Sequence, residues 1–173
     1  MKKISIYFCF VFLASVACVA CMDEREIIYA GPTVVEFKNH LLGRNTTYTP
    51  VGVFPSGTGT AQTLTSRYIS VDNRGTDSIL VQLVGPQLSR DIDIEYTIDE
   101  SSTAIEGTHY DFVNAGTRTI VLPAGTSSTY ILINPTPGSL DAGETRSLTL
   151  RLLGHNEVGV SENYSTFTTY LRP

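Results

Sequence analysis

The sequence has very little cysteine and no tryptophan. Its three cysteines, Cys9, Cys18 and Cys21, all lie near the N-terminus, so the rest of the chain contains none. A domain without cysteine forms no disulfide, offers no thiolate nucleophile and holds no cysteine-ligated metal ion. Its stability must therefore come from the packing of a hydrophobic core.

Clustered positive charge is also missing. The 173 residues include 12 lysines and arginines against 17 aspartates and glutamates, which gives a formal net charge of −5. After Lys2 and Lys3, the basic residues are scattered singly along the chain. Proteins that bind nucleic acid concentrate basic residues on one face or along one stripe. We therefore expect no nucleic-acid partner, and no attraction of the domain surface itself to an anionic membrane.

The patterns of the common catalytic sites are absent as well. The histidines His40, His109 and His155 form no His-x-x-x-His pair, and none lies beside a Gly-x-Ser-x-Gly elbow. The adjacent carboxylates Asp99 and Glu100 would point to opposite faces of a strand, an arrangement poorly suited to glycoside hydrolysis. We therefore predict that the protein is not an enzyme and uses no cofactor.

What the sequence does contain is an N-terminal targeting signal. Two lysines precede an apolar run, and small residues follow that run, as in a secretory signal peptide. The run is shorter than the roughly 20 residues that a membrane-spanning helix needs. A small residue directly before a cysteine resembles the lipobox of bacterial lipoproteins. We predict a signal peptide over residues 1–20, a lipidated tether over 21–32 and a single domain over 33–173.

Two cysteines compete for the lipid. Cys18 and Cys21 both follow small residues, and neither has the usual leucine three positions earlier. Cys21 is preferred because the acidic residues 23–26 follow it, which resembles the surface-export signal of some Gram-negative lipoproteins. Acyl chains such as palmitate would then hold the protein on the outer membrane, facing the cell exterior. Stable anchoring takes more than one such chain.

The rest of the chain shows the pattern of short strands. The residues Ile92, Ile94, Tyr96 and Ile98 alternate with polar residues, so a strand would place all four on one face. Each such side chain contributes roughly 1.5–3 kcal/mol when fully buried. Turn residues recur about every 8–12 positions, and no segment shows a capped helical period. We predict an all-β fold, an immunoglobulin-like antiparallel β-sandwich of about 7–9 strands.

Residues 38–62 are rich in glycine, proline and asparagine and predict a long loop. Long irregular segments often carry function. Tyr48 lies in this loop and Tyr68 in the strand that follows it. We predict that both are ligand-binding residues, with exposed rings of the kind that stack on the faces of sugars.

A series of short motifs begins at Ala104. Ala104, Gly107 and Tyr110 fit the pattern Ala-x-x-Gly-x-Asp-Tyr, with His109 in the aspartate position. An apolar strand, a Pro-Ala-Gly turn, a second apolar strand, an acidic turn and a leucine-alternating strand come next. This order resembles the Calx-β domain, a β-sandwich of immunoglobulin-like topology. The resemblance covers roughly half of the predicted mature chain.

The resemblance also raises the question of calcium, which some Calx-β domains bind through clustered carboxylates. A calcium ion takes about 6–8 oxygen ligands. The candidates in this chain are thinly spread, and one aspartate of the family motif is replaced by His109, so we predict no metal site. The candidates are Asp99, Glu100, Glu106, Asp111 and Asp141.

The lipoprotein start and this module together look like the surface lipoproteins of glycan-foraging Gram-negative bacteria. Two functional hypotheses follow. The first is a lipid-anchored cell-surface β-sandwich with a non-catalytic structural or protein-interaction role, whose partner is an outer-membrane protein. The second is a glycan-binding accessory of a polysaccharide-uptake system, in which Tyr48 and Tyr68 contact the sugar.

Overall fold

The computed structural model of this chain describes residues 29–39, 65–73, 75–114 and 116–173. Residues 31–173 form one compact unit. The predicted signal peptide, Cys21, Tyr48 and most of the 38–62 region lie outside the described residues. Within the described ranges, no helix could span a membrane.

The described residues contain ten β-strands and no α-helix. The strands are β1 Val34–Phe37, β2 Ser66–Ser70, β3 Asp77–Val84, β4 Ile92–Ile98, β5 Tyr110–Phe112, β6 Thr119–Leu122, β7 Ser128–Pro135, β8 Arg146–Gly154, β9 Gly159–Val160 and β10 Thr166–Arg172. The number exceeds the expected 7–9 because β9, with only two residues, is too short to leave a pattern in the sequence.

The strands form two five-stranded sheets. The first sheet has the order β5-β7-β3-β1-β9 and the second has the order β2-β10-β8-β4-β6. The all-β sandwich expected from the sequence is therefore confirmed. Two of its pairings are parallel rather than antiparallel, namely β1 with β9 and β10 with β2. Side chains alternate in the same way in both kinds of sheet, so the sequence pattern could not reveal these parallel pairs.

The core lies between the two sheets and follows the alternation of the strands. Ile92, Ile94 and Tyr96 are all buried, as predicted for β4, whereas Ile98 at the strand's end is only partly buried. Strand β3 lies between β7 and β1. Its Leu80, on the face away from the core cluster, is only 7 % exposed, in keeping with the nearly continuous apolar run of that strand.

A buried ion pair connects the two sheets. The side chains of Arg67 on β2 and Asp77 at the start of β3 are 2 % and 0 % exposed. The Arg67 guanidinium donates to the Asp77 carboxylate and, at 3.2 Å, to the carbonyl oxygen of Ser78. It also lies 5.8 Å from the ring of Phe167. Arginine is almost never fully buried unless it is paired, and its partner here comes from the opposite sheet.

Candidate functional site

Tyr68 lies on the outer face of the second sheet. In β2, Arg67 and Ile69 turn inward, which leaves the half-buried Tyr68 on the outer face. The parallel pairing of β2 with β10 places Tyr170 directly beside Tyr68. The two ring centroids are 4.6 Å apart with the planes inclined by 20°, so the rings are stacked. The ring of Tyr68, predicted to be exposed, is therefore half-buried, because it stacks on Tyr170.

Arg172 adds a positive charge to this pair. It follows Tyr170 by two residues on the same face of β10 and lies opposite Ser70. Its guanidinium carbon is 5.8 Å from the centroid of the Tyr68 ring, within the range of a cation–π contact. Burial raises the pKa of the Tyr68 hydroxyl, Tyr170 raises it further, and Arg172 lowers it. The hydroxyl is therefore neutral near pH 7 and can both donate and accept hydrogen bonds.

A cleft of about 440 Å³ opens next to the tyrosine pair. Ser70 and Arg172 lie two residues beyond Tyr68 and Tyr170 on the same outer face, so the cleft continues the aromatic surface. Its volume lies within the range of known small-ligand sites. The cleft is lined by Ser70, Asn73, Ala142, Gly143, Glu144, Thr145, Arg172 and Pro173.

Hydrogen bonds hold the polar groups of the cleft in place. The Asn73 backbone and side-chain amides donate to the Ser70 hydroxyl at 3.3 and 3.2 Å. On the other wall, the Glu144 carboxylate accepts the Asp141 N–H at 3.0 Å and the Arg146 Nε–H at 2.8 Å. The Asp141 bond, followed by that of Arg146, lowers the pKa of Glu144. The cleft thus combines hydroxyl, amide, carboxylate and guanidinium groups. These groups can form hydrogen bonds and ion pairs with a polar ligand.

The carboxylates considered for calcium are not brought together. Asp99 forms an ion pair with Arg151, and Glu106 forms one with Arg118. Hydrogen bonds from Ser101, and then from Arg151, lower the pKa of Asp99 to about 2. Among the described residues there is no group of three or more histidine, cysteine, aspartate or glutamate side chains that could hold a metal ion.

His109, which replaces the aspartate of the family motif, has a defined role in its turn. Its Nδ1 accepts the backbone N–H of Ile105 at 2.9 Å, and the residue is only 7 % exposed. An aspartate at this position would offer a carboxylate oxygen to the same amide. The histidine therefore supplies a side-chain acceptor within its own turn.

Of these residues the sequence predicted only Tyr68, and its role in ligand binding stays a prediction. Tyr170, Arg172 and residues 142–145 were not predicted. A signal for Tyr170 was present, since the inward-facing Phe167 and Leu171 leave Tyr170 on the outer face of β10. Its stacking on Tyr68 depends on the parallel pairing of two distant strands, which alternation does not specify.

The comparisons with known proteins concern the fold. The chain matches no protein-family model and no curated protein. It is similar to the apo-form Calx CBD1 domain, at 18% identity over 82% of this chain and 96% of that one, with a TM-score of 0.49. It is also similar to a Bacteroides ovatus protein of unknown function, at 19% identity over 81% of this chain and 46% of that one, with a TM-score of 0.52.

A third solved structure, from Bacteroides ovatus, is named as a candidate carbohydrate-binding protein. It is 14% identical over 62% of this chain and 34% of that one, with a TM-score of 0.46. The chain therefore spans less than half the length of each of the two Bacteroides ovatus proteins. At 19% identity, the likeness to the Bacteroides ovatus protein with the TM-score of 0.52 concerns the fold alone. The all-β sandwich itself is shown by the two five-stranded sheets.

Proposed function

We propose that this protein is a non-catalytic binding domain, held on the outer membrane by acyl chains on Cys21, that presents the cleft beside Tyr68 and Tyr170 to an outer-membrane protein. The observation that carries the proposal is the grouping of these two tyrosines with Arg172 on the outer face of a sheet. Tyrosine and arginine are among the residues that most often dominate the binding energy of protein interfaces.

The geometry of the pair favours a protein over a sugar as the partner. A pyranose ring packs against an open aromatic face. In the stacked arrangement, Tyr68 and Tyr170 each turn one face toward the other, and the Arg172 guanidinium lies near the Tyr68 ring. Ring edges, hydroxyl groups and a planar cation are well suited to the mixed polar and apolar contacts at the centre of a protein interface.

Affinity purification from solubilised outer membranes tests the partner. With the full-length protein as bait, Tyr170→Ala is expected to reduce the affinity for a bound outer-membrane protein at least tenfold, which corresponds to about 1.4 kcal/mol. The matched control is Tyr130→Ala, because Tyr130 is 44 % exposed and lies on the first sheet rather than the second. Equal partner recovery with Tyr170→Ala and the unchanged protein would refute this assignment of the binding face.

The second candidate function is a glycan-binding accessory of a polysaccharide-uptake system. The hydroxyl, amide and carboxylate groups that line the cleft are the observation that favours it, because sugars hydrogen-bond to such groups. A glycan array probed with the same variants separates the two candidates. Sugar binding that is lost in both Tyr68→Ala and Tyr170→Ala would move the assignment from a protein partner to a glycan.

The anchor is tested by metabolic labelling with an alkyne fatty acid in the native host. Cys21→Ser is expected to abolish the label and release the protein from the membrane, because stable anchoring requires the acyl chains. Cys18→Ser is the matched control and should leave the label unchanged. Label that persists in Cys21→Ser and disappears in Cys18→Ser would place the lipid on Cys18.

A further inference from the structure

A second surface lies on the outer face of the second sheet, at the end away from the tyrosine pair. The sheet order β2-β10-β8-β4-β6 separates the two, because the tyrosines lie on β2 and β10. On β8 and β6, Leu153 and Val121 point outward and are 54 % and 49 % exposed. Between them, β4 presents the exposed Asp93 and Glu95. These four residues are called the acidic face below.

A β-bulge directs Leu153 outward. Leu152 and Gly154 of β8 pair with Tyr96 and Glu95, which are consecutive in β4, so Leu153 is the extra residue between them. Its neighbours Leu152 and Gly154 are both buried, which leaves Leu153 on the outer side of the sheet. Bulges occur often where a side chain is redirected for function. Leu153 is therefore presented to solvent next to Glu95.

Val121 lies on the other side of the acidic residues. It pairs directly with Asp93 in the register of β6 and β4, and the Cβ atoms of such pairs are about 4.5–5.5 Å apart. The buried Ile120 and Leu122 leave Val121 on the outer side. Two carboxylates therefore lie between two exposed apolar side chains. Exposed apolar groups rimmed by polar groups are typical of protein-binding surfaces.

The charge of the acidic face is not neutralised from within the sheet. Every arginine within two residues of β4, β6 or β8 already pairs with another carboxylate. The pairs are Arg90 with Glu157, Arg118 with Glu106, Arg146 with Glu144 and Arg151 with Asp99. Among the described residues, no ion pair includes Asp93 or Glu95. A surface with this negative potential attracts positively charged partners and disfavours acidic ones.

A cleft of about 390 Å³ continues the acidic face along β4. Thr97 lies two residues beyond Glu95 on the same side of the strand and forms part of the lining. Asp99 and Glu100 line the cleft as well and add two carboxylates. The cleft therefore offers room and negative charge for a long basic side chain.

We propose that the acidic face binds a lysine- or arginine-bearing segment of another protein, whose apolar side chains pack on Leu153 and Val121. Charge complementarity selects this occupant. A second copy of this chain would bring the same carboxylates against each other in a symmetric interface, and like charges at such short range repel. The surface is separate from the tyrosine cleft, so the inference does not depend on the proposed function.

Fluorescence anisotropy with the full-length protein tests the chemistry of the occupant. The probe is a labelled peptide in which leucine and lysine alternate. Two matched peptides carry serine in place of leucine or glutamate in place of lysine. We expect the leucine–lysine peptide to bind at least tenfold more tightly than either. Raising the salt concentration from about 0.05 M to 0.5 M should weaken its binding, because salt screens exposed charges.

Substitutions test the location. The double variant Asp93→Lys with Glu95→Lys is expected to lower the affinity for the leucine–lysine peptide at least tenfold, and Leu153→Ser at least fivefold. All three positions are exposed, so the variants should keep the fold. Asp111→Lys and Val113→Ser are the matched controls, because they change an exposed acid and an exposed valine on or beside β5 of the first sheet. Both controls should bind the peptide as the unchanged protein does.

Other outcomes would overturn the inference. They are equal affinity for the three peptides, equal losses in the first-sheet controls, or no binding of the leucine–lysine peptide at about 1 mM. A loss in Tyr170→Ala as large as that of the double variant would place the peptide in the tyrosine cleft instead. Sedimentation tests the remaining occupant: a dimer of the full-length protein that Leu153→Ser disrupts would assign the acidic face to a second copy.

Discussion

Replacing Arg67 with methionine is expected to lower the free energy of unfolding by about 3–5 kcal/mol, because it removes the Arg67 guanidinium from the buried Asp77 carboxylate. For a domain of this size, such a loss lowers Tm by roughly 6–20 °C. The effect should be large because the Asp77 side chain is 0 % exposed and water cannot take the place of the guanidinium. Urea and thermal unfolding of the full-length protein measure it.

The double variant Arg67→Met with Asp77→Leu is the informative control. Buried ion pairs replaced by apolar residues of similar size are often neutral or stabilising, so most of the lost stability should return. A single variant that costs less than about 1 kcal/mol would show that this pair is not buried as described. A double variant no more stable than the single one would show that the charge itself is not the cause.

Gly154→Ala is expected to lower the free energy of unfolding by about 2–4 kcal/mol, since it combines two separate costs. Gly154 has a φ of +77°, in the left-handed region that residues with a Cβ disfavour. An added Cβ would also lie 2.6 Å from the carbonyl oxygen of Val158, a backbone atom that cannot move aside easily. The midpoint of urea unfolding measures the loss.

Gly138→Ala separates the two costs. Gly138 has a similar φ of +70°, but a Cβ there would meet nothing within 4 Å. Its loss should be only about 1–2 kcal/mol, from the backbone alone. Equal losses in the two variants would mean that the close approach between Gly154 and Val158 does not exist in solution.

The fold was largely predictable because alternation is a local property. Ile92, Ile94 and Tyr96 of β4 are buried on one face, as their spacing requires. Strand pairing is a long-range property, which is why the parallel neighbours of β1 and β10 could not be foreseen. The buried Arg67 was missed for the same reason, since its partner belongs to the opposite sheet.

The candidate site was predictable only in part. The prediction that the ring of Tyr68 is exposed is wrong, because Tyr68 lies half-buried on the outer face of β2. Its stacking on Tyr170 arises from the pairing of β2 with β10, and the wall at Glu144 comes from a separate turn. The sequence shows that His109 stands in the aspartate position of the motif. It does not show that the His109 Nδ1 accepts the Ile105 N–H, because that contact depends on the folded turn.

Photo-crosslinking in living cells tests the binding face most directly. A photoreactive phenylalanine analogue is placed at position 170 in one full-length variant and, as the control, at position 130 in another. The proposal predicts a crosslink to an outer-membrane protein from position 170 and none from position 130, which is exposed on the other sheet. Crosslinks from position 130 alone would contradict it.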